Sequence, residues 1–193
     1  GDLHSWTIET GRPSVQPEFG KPKPSLHLPF LGNEHLHSLL ILPYDVDNGE
    51  IECDVYLGDR SAIGILFRGT MSHCQYYATR LSADPELPSA LLRSTGRNLP
   101  CHILFDTETQ VAESGHWNVV RVVFHRRHLM LYVGDRLVLA TRDGALRSGC
   151  VGIFTERGEV YVDNFRLVAL SSNLKLFARR WLGLDVAQTP IHR

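Results

Sequence analysis

Glu50-Ile51-Glu52-Cys53-Asp54 sets three carboxylates on alternate residues. Successive side chains of a strand point to opposite faces, so the three acids share one face, about 7 Å from one to the next. Carboxylates spaced in this way are material for acid–base chemistry. Hydrolysis of a glycosidic bond with retention uses a nucleophile and an acid/base about 5–5.5 Å apart, and Glu52 and Asp54 are the pair such chemistry would use. The same pattern also describes a solvated sheet face whose acids pair with basic residues on neighbouring strands.

A second constellation is aromatic and basic. Arg68 ends the run Ala62–Arg68, and the next run, His73–Leu81, carries His73, Tyr76, Tyr77 and Arg80. If these strands neighbour Glu50–Leu57, then Glu52, Asp54, Arg68 and one tyrosine series converge on a concave face. Aromatic rings with a few planar hydrogen-bonding groups are how proteins grip polar ring-shaped ligands. The expected ligand set is Glu52, Asp54, Arg68, His73, Tyr76, Tyr77 and Arg80.

Nucleophilic chemistry finds less support. There is no G-x-S-x-G turn. The four cysteines, at 53, 74, 101 and 150, include no C-x-x-C pair, so a zinc site is not expected. Cys53 falls on the apolar side of its strand and reads as a buried thiol, with Cys150 alike. Cys74 and Cys101 stand beside His73 and His102, but strand alternation aims such neighbours to opposite faces. If oxidised, Cys74 and Cys101 could form a disulfide. The ten histidines are scattered. His35-x-His37 and His125-x-x-His128 are the close pairs, and both read better as loop or turn residues than as metal ligands.

The elements that must hold these residues are strands. Glu50–Leu57 alternates cleanly, with Ile51, Cys53, Val55 and Leu57 on one side. Ser25–Phe30 and Ala62–Arg68 alternate as well, His37–Pro43 is a compact apolar run, and His102–Phe105 is a short strand. Ala90–Arg93 suits a strand or one helical turn. From His116 to Leu170, apolar runs are separated by Arg126-Arg127, Gly134-Asp135, Arg142-Asp143-Gly144 and Arg157-Gly158, which reads as an antiparallel meander. About eleven to thirteen short strands result, stacked as two antiparallel sheets. After Leu170 the apolar spacing changes to three and four, and Asn173–Leu184 is expected to form a short amphipathic helix. The expected organisation is one all-β sandwich over 1–170, with a helix and tail over 171–193 packed on it.

The chain has 193 residues and a formal net charge of −1. That length suits one domain, and the charge offers no field for nucleic acid, which is not an expected partner. No apolar run approaches the ~20 residues that span a bilayer. No signal peptide is read at the N-terminus, and an extracellular or cell-surface setting is the expectation.

The order of features resembles a known family. Trp6 in LHSWTIETG is followed by GEIECDVYL, by IGILFRG, by a Tyr-rich strand, and then by HWNVVRVVF, LMLYVGDRLV, GCVGIF and VYVDNFRL. This is similar to the concanavalin A-like jelly roll, in the branch of laminin-G-like domains and the 3-keto-disaccharide hydrolase domain. The resemblance covers roughly 2–170 and rests most on Gly149–Ile153 and Val162-Asp163-Asn164-Phe165. It implies a jelly-roll β-sandwich. It also implies a possible structural calcium, with Asp163 as a ligand aided by Glu9 or the N-terminal loop. Laminarinase-type enzymes of this superfold carry E-φ-D-φ-E (φ apolar) on one strand, where this chain has E-φ-E-C-D, so the last acid is one methylene short. The leading expectation is a non-catalytic module recognising carbohydrate or a protein partner. The alternatives are a glycoside-processing hydrolase using Glu52 or Asp54, with Arg68 or His73 orienting substrate, and a structural assembly domain.

Overall fold

The computed structural model describes residues 5–21, 24–30, 38–96 and 100–170. Among them fourteen strands form two seven-stranded sheets, and every pairing is antiparallel. The first sheet runs β1 (Thr7–Thr10), β4 (Leu39–Leu42), β13 (Cys150–Arg157), β6 (Ala62–Thr70), β7 (Gln75–Ser82), β8 (Ala90–Thr95) and β9 (His102–Asp106). The second runs β12 (Arg136–Arg142), β11 (His128–Val133), β10 (Trp117–His125), β5 (Gly49–Leu57), β14 (Val160–Ala169), β3 (Ser25–Leu28) and β2 (Ser14–Gln16). The fold is the expected all-β jelly-roll sandwich. The expected helix over Asn173–Leu184 lies outside the described residues, as does the His35/His37 pair.

Period-two alternation builds the core. Ile51, Cys53, Val55 and Leu57 of β5 meet Ile63, Ile65 and Phe67 of β6 across the sandwich, joined by Val120, Val122 and Phe124 of β10. Phe67 stacks on Phe124 at 4.8 Å and on Tyr77 at 5.6 Å. Each such aromatic pair adds about 0.5–1.5 kcal/mol beyond the area it removes from water. Cys53 is buried, as expected, and burial drives its thiol pKa far up, with Asp54 and Glu52 adding to the effect. Cys150 is only half-buried.

Three features depart from the sequence-based expectation. The meander holds for β10, β11 and β12 and then breaks: β13 crosses to the first sheet, and β14 returns to the second. Apolar runs and turns show where strands begin and end, but not which sheet each joins. The β5–β6 connection also switches sheets. Its Gly58 N–H donates to Glu159 O at 3.0 Å, so it packs on the β13–β14 turn. Gly158 is required in that turn, with a left-handed φ of 65° and Ser61 against its α-carbon. Finally, β1 and β2 bring the strands to fourteen, and β7 begins at Gln75 because Met71–His73 forms a 3-10 turn.

Candidate functional site

A groove of about 460 Å³ crosses the outer face of the first sheet, lined in part by Leu66, Tyr76, Arg80, Leu92, Cys101, Ile103, Phe154 and Glu156. Small side chains make the hollow. Register places Phe154, Gly64, Arg80 and Ala90 in one row across β13, β6, β7 and β8. The adjacent row runs Gly152, Leu66, Ala78, Leu92 and Ile103. Gly64 and Ala78 floor the centre. At Gly64 a β-carbon would strike the Phe154 ring, whose third-nearest atom lies at 2.6 Å, so the bare glycine lets that ring lie on the sheet. Tyr76 meets Phe154 edge-on at 6.3 Å.

One ion pair stands among these rings. Arg80 Nη1 donates to Glu156 Oε1 at 2.9 Å, and Arg80 Nε donates to Pro88 O at 2.8 Å. The side chains are 8% and 27% exposed. Glu156 Oε2 is buried with no hydrogen-bond partner. Burial, ahead of the neighbouring Cys101, pushes the Tyr76 phenol well above its ordinary pKa, so it remains a protonated donor. The groove thus offers two aromatic rings, apolar walls, and one donor–acceptor pair of opposite charge.

Of the residues singled out from sequence, Tyr76 and Arg80 lie in this groove. The expected convergence of the others does not occur, because β5 belongs to the second sheet and β6 and β7 to the first. Glu52 faces outward on the far side of the sandwich, opposite Arg121 of β10 and Arg166 of β14. Glu50 and Glu52 thus lie on an outer face beside basic residues, the other meaning anticipated for the acidic strand, whereas Asp54 is buried. Arg121 also reaches Glu50 at 4.0 Å and lies over the Tyr132 ring at 4.2 Å. Asp54 accepts from Asn164 Nδ2 at 2.7 Å.

Arg68 and Tyr77 are core residues. Simple alternation puts Arg68 on the outer face with Gly64 and Leu66. A bulge between Phe67 and Thr70, with Arg68 at a left-handed φ of 51°, turns it inward instead. There it is 2% exposed, donating to Asp47 O at 2.7 Å and Leu146 O at 3.2 Å, with Phe124 beneath it. Tyr77 is fully buried, and its hydroxyl donates to Asp143 Oδ1. His73 is exposed in the 3-10 turn. Cys74 and Cys101 are free thiols, so the disulfide anticipated for them is not formed; Cys101 instead neighbours the Tyr76 hydroxyl at 4.0 Å.

Asp163 acts as a cap. Its carboxylate accepts the N–H of Asn164 at 2.7 Å and the N–H of Lys21. The Asn164 side-chain amide bridges from Asp54 to Lys21 O. Glu9, the anticipated helper, lies on the other sheet. Asp163, Asp54 and the Lys21 carbonyl are hard oxygen donors of the kind calcium takes, but the Asn164 amide already joins two of them. Among the described residues no group of three His, Cys, Asp or Glu side chains gathers at metal-binding distance, and His125 and His128 are exposed partners at the β10–β11 turn.

Phe154 and Glu156 are not among the residues expected from sequence, although alternation along Cys150–Arg157 separates inward Val151, Ile153 and Thr155 from outward Gly152, Phe154 and Glu156.

No protein-family model matches this sequence, and no curated protein matches it significantly. Solved structures do match. The carbohydrate-binding module CBM66 from Bacillus subtilis superposes with a TM-score of 0.68 at 14% identity, over 84% of this chain and 94% of that one. A Bacteroides ovatus mixed-linkage glucan GH16 protein, in complex with G4G4G3G product, gives 0.63 at 11% identity, over 87% and 96%. The carbohydrate recognition domain of Emp46p, in its potassium-bound form, gives 0.55 at 14% identity, over 86% and 88%. These matches show the fold, a two-sheet jelly-roll β-sandwich. The same fold serves proteins named for binding carbohydrate and a GH16 protein named for mixed-linkage glucan.

Proposed function

We propose that this chain is a non-catalytic module that recognises carbohydrate in the groove on the outer face of its first sheet. The observation that carries this is the groove itself, with Tyr76 and Phe154 set over a glycine and alanine floor beside the Arg80–Glu156 pair. Its volume falls in the range of small-ligand sites. The apolar C–H face of a sugar ring packs on aromatic carbon, while its hydroxyls need planar donors and acceptors at the rim. CBM66 and the Emp46p domain, named for carbohydrate binding, have the same frame. The GH16 match favours a hydrolase as the second reading. That chemistry works with two carboxylates, and Glu156 is the single acid among the groove-lining residues.

A glycan-array screen with wild type, Tyr76→Ala and Gly64→Ala tests the proposal. Truncating a central anchor costs about 2 kcal/mol or more, which is tenfold or more in affinity. Tyr76→Ala removes one ring directly. Gly64→Ala forces Phe154 off the sheet while the backbone tolerates the methyl. Both variants are expected to lose at least tenfold in binding, and wild type is expected to release no cleaved sugar. Absence of glycan binding, or binding that survives both changes, would overturn the proposal.

A further inference from the structure

The groove is long as well as hollow. Resting on the recognition reading above, we infer that it takes an internal stretch of an extended polysaccharide, several sugar rings laid across the strands, and not the terminal unit of a chain.

Every strand of the first sheet lends a residue to the lining: Thr10 of β1, Leu39 of β4, Phe154 of β13, Leu66 of β6, Tyr76 of β7, Leu92 of β8 and Ile103 of β9. Neighbouring strands lie about 4.8 Å apart, so the path from β1 to β9 is about 29 Å long. That is several times the width of one sugar ring. The small residues that make the hollow recur along this path. Gly64 and Ala90 stand in the Phe154 row, and Gly152 and Ala78 stand in the next. A pocket for a terminal unit needs a wall against which the last ring stops. Among the described residues neither end of the groove has one. Thr10 is exposed at the β1 end, and at the β9 end Ile103 is 56% exposed beside the exposed Cys101. A chain can enter over β1 and leave over β9.

The chemistry along the path changes from centre to ends. Tyr76, with its phenol, and the Phe154 ring lie at the middle strands, whereas Leu39 on one side and Leu92 and Ile103 on the other are purely apolar. Rings over those outer residues gain by covering carbon, and that gain accumulates with each ring until the groove is full. Covering the apolar side chains at both ends is expected to be worth at least tenfold in affinity together.

The test measures binding of gluco-, manno-, galacto- and xylo-oligosaccharides of two to eight units by calorimetry. A second set has the reducing end converted to the alditol and the non-reducing end methylated. The proteins are wild type, Tyr76→Ala and Ile103→Ala, whose site on the exposed edge strand spares the core. In the series that wild type binds, affinity is expected to rise at least tenfold from two to five units and then to level off. Modifying the ends of the longer chains is expected to change it less than twofold. Ile103→Ala is expected to reduce the gain with length about threefold. If affinity is the same at every length, or is lost when the ends are modified, and Tyr76→Ala still weakens binding, groove recognition stands and the internal-chain inference falls. A gain with length that Ile103→Ala leaves at its wild-type value also overturns the inference. No binding to any series removes the recognition reading itself, and the inference with it.

Discussion

Tyr76 and Tyr77 are adjacent and chemically identical, yet one lines the groove and the other lies in the core. Tyr77→Phe separates their roles. The Tyr77 ring stays packed on Phe67 in the variant, so no cavity opens. What is lost is the hydroxyl, which donates to Asp143 Oδ1 and accepts from Leu146 N–H at 3.1 Å. A hydrogen bond to a charged group contributes about 1.5–3 kcal/mol. Asp143 keeps Arg93 Nη1 at 2.6 Å and Ala145 N–H at 2.8 Å, so its charge is not stranded. Leu146 is half-buried, and water can replace part of its lost bond. The expected loss is therefore about 2 kcal/mol, or a melting temperature lower by about 4–8 °C for a chain of this size. Urea unfolding measures the difference directly, with an unchanged slope against denaturant. Glycan affinity is expected to stay at the wild-type level. A loss below about 0.5 kcal/mol would refute the network argument, and weakened binding with unchanged stability would put Tyr77 in the ligand site.

Two more predictions concern the charged groups. Asp84 has its pKa lowered first by the Glu86 N–H and then by Arg157 and Arg60. Asp143 is lowered as well: burial works to raise it, but the Tyr77 hydroxyl, Ala145 N–H and Arg93 outweigh burial. Each folded-state value lies below the unfolded value of about 3.9, so the stability each contributes is complete above that value and is lost as pH falls through the folded one. Urea unfolding is expected to be flat from about pH 7 to 5 and to weaken below about pH 4, with Asp143→Asn flattening the acid limb; an identical limb in the variant would refute the assignment. Asp163→Ala takes the carboxylate from two backbone donors, at Lys21 and Asn164, and is expected to cost about 1–3 kcal/mol. No loss of stability would refute the capping role, and a melting temperature raised by calcium in wild type but not in the variant would assign a cation to these oxygens.

The strands were legible because burial writes a period of two into them. Ile51, Cys53, Val55 and Leu57 are inward in the structure as the pattern requires, and Gly152 needs its bare α-carbon because a methyl there would press on Leu40 O at 2.6 Å. What alternation omits is register and sheet membership. Glu52 and Arg68 look like partners in sequence, yet the turn after Leu57 sends their strands into different sheets, and one bulge then reverses Arg68. Both outcomes depend on pairings between residues far apart in the chain. The Tyr76–Phe154 contact spans β7 and β13, with β6 between them, and no local pattern announces it.

The two outer faces of the sandwich differ in what they leave open. The second sheet displays the conspicuous groups, Glu50, Glu52, Asp54 and Tyr56, but its outer face is already occupied. Phe19 packs against Tyr161 at 4.5 Å, Tyr56 at 4.9 Å and Trp117 at 5.5 Å, while Arg121 reaches Glu50 and Glu52 stands in register between Arg121 and Arg166. The first sheet displays less chemistry and more space. Its hollow comes from Gly64, Ala78, Ala90 and Gly152 standing in register on neighbouring strands, where larger side chains would level the surface. A ligand needs unfilled volume and unspent hydrogen bonds together. Among the described residues that volume lies over the glycine and alanine floor, with the Arg80–Glu156 pair beside it.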